Sequence, residues 1–291
     1  MRSPDGVWLA LLAALLFGVS GVVAADIFDT VNPTRVAQYR SVLTALVLLA
    51  VAARRRKLAA RGSYPLLALL GLFLAGVTIT FYWAIERLDV GPGVTIQFLG
   101  PVLVLGWMRW MQGRSVPTAA WVASTAAITG TLLITRAWTG DIDLVGVASG
   151  LGAALTFAGY LIVGEMLGRR LPGLTVTAWG FTFSSLVWLA VLPPRIVDVD
   201  GGDWASLLWV ALAGTAIPFL LEIAALRRAD PGRVGVAATG EPVVAAVTAW
   251  IVLGQALSAV QLVGGALVVA GIATIQAVTS SVAPDAPPAA V

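Results

Sequence analysis

The chain of 291 residues has no cysteine and no histidine. The first absence removes disulfides, thiol nucleophiles and thiolate metal sites. The second removes the commonest general base, the commonest metal ligand and the side chain that titrates near neutral pH. Charge is scarce as well: charged residues are 11% of the chain, against about 25% in soluble domains. The single lysine, Lys57, closes an RRRK run, so a serine hydrolase buried in a membrane would lack its lysine partner. No phosphate-cradling glycine loop, metal-ligand cluster or catalytic triad is present. These gaps argue against an enzyme and imply no cofactor and no metal. The RRRK run lacks interleaved aromatics, so nucleic acid is not an expected partner.

What is abundant is apolar surface. Hydrophobic residues make up 59% of the chain, with a mean hydropathy of +0.93. A soluble domain of this length could not hide so much, and the lipid bilayer is the expected solvent. A spanning helix needs about 20 mostly apolar residues. Ten stretches qualify: Val7–Ala25, Arg35–Ala53, Leu66–Leu88, Gly93–Met111, Thr118–Thr135, Val147–Met166, Leu174–Leu192, Ala205–Leu226, Val234–Leu253 and Ala259–Gln276. Short connections make consecutive spans antiparallel neighbours. The expected fold is an all-α polytopic membrane protein with ten transmembrane helices. Arg2, an apolar run and Val-Val-Ala-Ala before Asp26 also outline a secretory leader. The repeat described below needs that segment as its first span.

With the N-terminus in the cytoplasm, 13 of the 18 basic residues fall on the inner side, and the aspartates from Asp26 to Asp203 fall outside. This bias places both termini in the cytoplasm, as expected for a bacterial-type inner-membrane protein. Trp8, Trp107, Trp110, Trp121, Trp138, Trp204 and Trp250 sit near the boundaries, as an aromatic belt would.

The chain is also duplicated. GVWLALLAALLF (Gly6–Phe17) matches GVASGLGAALTF (Gly146–Phe157) at an offset of 140, and GVTITFYWAIERL (Gly76–Leu88) matches GTAIPFLLEIAAL (Gly214–Leu226) at 138. Pro101 and Pro242, Gly113 and Gly254, and Gly130 and Gly271 follow at 141. Two five-span repeats result, 6–136 and 146–276, followed by a proline-containing tail, 279–291, expected to be disordered. Five is odd, so the second repeat enters the membrane from the opposite face. Inverted repeats pack around a central cavity and support alternating access.

The strongest site signal is Glu241, set between Gly240 and Pro242 in an otherwise apolar span. A charge beside a helix break at membrane depth faces protein or a water-filled cavity. Leu99–Val102, LGPV, reads like the GEPV of Gly240–Val243. Such paired interruptions point to a transporter's binding site. Pro101, Gly240 and Pro242 are therefore the candidate hinges. Glu241 is the candidate site for a proton or a substrate amine, or else a carboxylate capping the helix that restarts at Pro242. Glu222 lies one turn before Arg227 and Arg228 and would serve the substrate or pair with those arginines. Arg40 suits a substrate carboxylate, unless it snorkels or pairs with Glu86. Gln97 would orient substrate by hydrogen bonds or join helices. Tyr39, Trp83, Tyr160 and Trp179 are candidate cavity aromatics, with plain packing as the alternative.

These residues resemble the drug/metabolite transporter superfamily in its ten-span EamA form. The closing run Glu241–Ile272, EPVVAAVTAWIVLGQALSAVQLVGGALVVAGI, is similar to that family's end-of-repeat pattern, with Gln255 in place of the usual glutamate after Leu-Gly. Ile217–Arg228 (IPFLLEIAALRR) and Ile96–Val102 (IQFLGPV) look most like the threonine/homoserine exporter branch. Pro218, Phe219, Leu221 and Glu222 match its eighth-span motif. Phe98, Gly100 and Pro101 match its fourth-span motif, where Gln97 replaces a glutamate. The resemblance implies secondary active export of small metabolites such as amino acids, driven by an ion gradient, with protons as the candidate coupling ion. Efflux of lipophilic cations or drugs is the competing transport reading, and a non-transporting membrane scaffold or sensor the competing class.

Overall fold

The structure is a computed structural model and describes residues 5–60, 62–113, 115–134, 143–193, 201–226, 228 and 237–281. It is a bundle of helices, with no strand among the described residues. In chain order they are α1 (Asp5–Asp26), α2 (Pro33–Arg54), α3 (Tyr64–Leu88), α4 (Val90–Gln97), α5 (Gly100–Trp110) and α6 (Thr118–Ile134). Then follow α7 (Leu144–Gly168), α8 (Gly173–Val191), α9 (Gly201–Ala211), α10 (Ile217–Leu226), α11 (Glu241–Leu253) and α12 (Ala259–Ser281). Seven segments are long and apolar enough to cross a membrane, with α4 and α5 together making one of them and α9 to α10 another. Shorter apolar helices correspond to α6, α11 and α12. Each of the ten expected spans is thus mainly helical where it is described, with turns at Phe98–Leu99 in the fourth and Thr239–Gly240 in the ninth. Thr135, residues 234–236, Trp138, Arg227 and residues 282–291 of the tail lie outside the described residues. Residues 279–281, expected in the tail, instead continue α12.

Local chemistry sets the helix ends. The Asn32 side chain accepts from the Thr34 N–H and Pro33 occupies the first turn of α2, where its missing donor costs nothing. Asp143 caps α7, its Oδ1 accepting from the Gly146 N–H at 2.8 Å. Its carboxyl is held below the ordinary aspartate value by that backbone bond and, less strongly, by Arg87 at 3.4 Å.

Burial follows solvent. Trp8, Leu155, Trp250 and Ile251 are all exposed on the outside of the bundle, as lipid-facing side chains are. Small residues fill the interior: Ala10, Ala37, Ala84, Ala153, Ala178 and Ala245 are all buried and allow backbones to approach closely. α3 packs on α7 and α8, α2 on α8, α1 on α10 and α11, and α6 along α12. α1 thus packs into the bundle on one face and exposes Trp8, Leu12 and Leu15 on the other.

Two irregularities shape the centre. The fourth span unwinds at Phe98–Leu99, between α4 and α5, with Pro101 in the first turn of α5. A π-helical turn over Leu212–Ala216 joins α9 to α10, a feature the sequence reading lacked. Thr215 Oγ1 donates to Val210 O at 2.7 Å, and Thr44 on α2 donates to Ala211 O at 3.0 Å. Such wide turns concentrate at functional sites.

Candidate functional site

A cavity of about 220 Å³ lies in the middle of the bundle. Its walls come from α1, α2, α3, α4, α5, α7, α8, α10, α11 and the turn before α11. Most of the wall is apolar, as in small-molecule sites generally. Phe17, Phe81, Phe98, Phe157, Phe181 and Phe219 all face it.

The polar groups are few and come from different helices. Arg40 reaches in from α2, Gln97 from the last turn of α4, Tyr160 from α7, Glu222 from α10 and Glu241 from the first turn of α11. Five of the eight residues singled out for substrate contact thus line one cavity. Pro101 joins them from α5.

Arg40 turns away from Glu86, which is exposed. Its Nη1 donates to the Tyr82 hydroxyl at 3.3 Å, and its guanidinium carbon lies 5.8 Å from the Tyr82 ring centroid. Arg40 Nε is buried with no hydrogen-bond partner. Among the described residues the ion pairs are Arg87–Asp143 and Arg169–Glu165, and neither Glu222 nor Glu241 takes part in one. Arg228, considered as a partner for Glu222, donates to Ala224 O instead.

Glu241 begins α11, where the helix dipole favours an anion. Gly240 has ordinary right-handed backbone angles, φ −67° and ψ −23°, so the break needs no special glycine conformation. At the matching position in the other interrupted span stands Gly100. A Cβ there would lie 2.7 Å from a Phe157 ring carbon. The ring occupies the space that a carboxylate fills at Glu241, so the two breaks are chemically unequal.

Three other sequence candidates sit elsewhere. Tyr39 packs edge-on against Trp204, with centroids 5.2 Å apart. Trp179 donates from Nε1 to Leu58 O at 2.9 Å and packs on Tyr64 and Phe183. Trp83 is 43% exposed on the outer surface. None of the three lines the cavity. Spans apolar on all sides carry no stripe from which to read the inward face. Pro242 is buried in the first turn of α11 but outside the lining.

The sequence reading missed the phenylalanines, Ser20 and Thr78. The signal for the first was at hand. Phe17 and Phe157 occupy matching places in the paired stretches of sequence, as do Phe81 and Phe219, and all four face the cavity.

Comparison with known proteins agrees with this architecture. The EamA-like transporter family matches the chain twice, over residues 5–136 and 144–276. The threonine/homoserine exporter RhtA of Salmonella typhimurium is 30% identical over 277 residues, which cover 91% of this chain and 90% of that one. RhtA of Escherichia coli K12 is 29% identical over 276 residues, 92% of this chain and 89% of that one. The uncharacterized transporter YwfM of Bacillus subtilis is 24% identical over 92% of each chain. A solved crystal structure superposes with a TM-score of 0.68 at 17% identity, covering 94% of this chain and 96% of that one, a likeness of fold. With two matches that together span nearly the whole chain, this multi-pass membrane protein belongs to the EamA-like transporter family.

Proposed function

We propose that the protein exports small zwitterionic amino acids, threonine and homoserine among them, from the cytoplasm across a bacterial-type inner membrane. One observation carries the reading: a guanidinium and two carboxylates from three helices face a single cavity of about 220 Å³. That volume lies below the roughly 300–1,000 Å³ of drug-sized sites. Arg40 holds the substrate carboxylate, and Glu241 holds the ammonium. Two acids against one base give the cavity wall an excess of acidic groups in a poorly solvated space, which favours uptake of an ammonium group or a proton. Protons are therefore the proposed coupling ion, exchanged at Glu241 or Glu222. The names of the RhtA relatives point to the same substrates.

The transport cycle follows from the inverted repeat, with both termini cytoplasmic. Packing supports this organisation. α3 meets α7 as α1 meets α10, and α1 meets α11 as α7 meets α4 and α5. The α6–α12 and α2–α8 pairs map onto themselves. The detail is the same at the α6–α12 contact. Gly130 lies against Gly264 and Val268, while Gly271 lies against Ala123 and Ala127. Each pair of partners is related by the same offset of 141 that relates the two glycines. Rocking of such halves opens the cavity to one side at a time.

The six phenylalanines and two acids also suit a lipophilic cation, the second reading. Arg40 opposes it, since a like charge in the same cavity repels a permanent cation. Proteoliposomes loaded with labelled threonine, homoserine or a quaternary ammonium dye decide between them. Efflux of the amino acids, accelerated by a pH gradient, is expected. Efflux of the dye alone would replace the amino-acid reading with the second.

A further inference from the structure

One face of α1 lines the cavity: Ala10, Ala13, Ala14, Phe17, Ser20 and Gly21, spaced by the steps of a single helix face. Ser20 is the only polar side chain on it. It is 2% exposed, and its Oγ is buried without a hydrogen-bond partner. Four other buried hydroxyls in the spans do not share this condition. Thr78 donates to Leu74 O at 2.8 Å, Thr95 to Gly91 O at 2.7 Å, Ser124 to Ala120 O at 2.8 Å and Ser185 to Phe181 O at 2.7 Å. Each is satisfied on the carbonyl one turn back. The Ser20 hydroxyl lies instead against Gly214, where any Cβ would collide with it. Gly214 belongs to the π-helical turn. Glycine there keeps room for a hydroxyl that no protein group engages. Arg40 Nε, in the wall of the same cavity, is likewise buried and unpartnered.

A buried hydroxyl left unpaired is destabilising, and alanine would occupy the place without that cost. A ligand supplies the missing return. We infer that Ser20 is a specificity-determining residue that hydrogen-bonds the side-chain hydroxyl of a small hydroxy amino acid, while Arg40 holds its carboxylate. The inference rests on reading the cavity as an amino-acid site. The serine hydroxyl both donates and accepts, and it rotates about its Cα–Cβ bond, so it can swing from Gly214 to meet a substrate hydroxyl. A substrate without that group leaves Ser20 unpaired. Sites built to bond a substrate hydroxyl reject the analogue lacking it more strongly than apolar pockets reject a missing methyl.

The test compares threonine with valine, which carries a methyl in place of the hydroxyl. Counterflow of each is measured in proteoliposomes of the wild type, S20A, S20C and S20T, together with the melting temperature of each protein in detergent. The wild type should prefer threonine by at least about tenfold. S20A and S20C should bring the ratio to within about twofold, chiefly by losing threonine. S20T, which keeps a hydroxyl, should retain the preference, and S20A should melt no lower than the wild type. A wild-type ratio in both S20A and S20C overturns the assignment. So does an S20A protein that melts lower and loses both amino acids equally, since that marks a structural serine. A wild-type protein that moves neither amino acid overturns the amino-acid reading itself, and the Ser20 assignment with it.

Discussion

Phe17 on α1 and Phe219 on α10 meet edge to face, with ring centroids 5.1 Å apart and planes at 84°. Phe157 and Phe81, which lie 140 residues after Phe17 and 138 before Phe219 in matching stretches of sequence, face the same cavity without touching each other. Phe157 meets Phe98 and Tyr160, and Phe81 meets Tyr82. One aromatic pair is closed while its counterpart is open. If the two halves exchange conformations during transport, the contacts exchange too. The chain has no cysteine, so introduced pairs can be crosslinked without background. F17C/F219C should crosslink readily in the resting protein. F81C/F157C should crosslink mainly when substrate is cycling. Equal F81C/F157C crosslinking with and without substrate would contradict the exchange.

Among the described residues, Arg40 is the only guanidinium in the cavity wall. Its planar fork suits a carboxylate, and lysine supplies charge without that geometry. R40A should lower threonine transport by at least about tenfold, with R40K in between. Equal transport of threonine by R40A and wild type, at matched protein in the vesicles, would remove the carboxylate from Arg40.

The α6–α12 contact depends on two close approaches. A Cβ on Gly271 would lie 2.6 Å from Ala123 O, and one on Gly130 would collide with Gly264 O. Backbone on the other side cannot yield as a flexible side chain would. G130A and G271A should each destabilise the protein by about 1–3 kcal/mol, read as a lowered melting temperature in detergent. Unchanged melting would mean the two helices separate freely.

Asp143 caps α7 and faces Arg87. Its folded-state carboxyl titrates below the ordinary value of 3.8. The stability it contributes is present above that value and lost as pH falls through the folded-state value. D143N should therefore melt lower than the wild type at neutral pH, and the gap should close in acid. A gap independent of pH would leave the cap in place and remove the charge from its explanation.

Hydropathy made the spans legible, because a chain with this little charge can satisfy its backbone in lipid only as helices. The interruption at Pro101 was legible for a similar local reason: proline cannot continue the preceding turn. The π-helical turn at Leu212–Ala216 was not. It is a shift of hydrogen-bond register, and LAGTA carries no residue that demands it. Rotational phase was the other gap. Charge oriented Arg40, Glu222 and Glu241 toward the interior, since lipid excludes it. Tyr39, Trp83 and Trp179 tolerate lipid, packing or cavity alike, so their type gave no direction. Ser20 looked like any membrane serine, and only its unpartnered oxygen distinguishes it.

Glu241 carries the central claim. Glutamine matches its size but can neither pair as an anion with an ammonium nor exchange a proton. The decisive measurement is counterflow of labelled threonine in proteoliposomes bearing wild-type protein or E241Q, at equal insertion. The wild type should exchange threonine, and E241Q should fall by at least about tenfold. Threonine exchange by E241Q at the wild-type rate would contradict the assignment of this cavity as the amino-acid site.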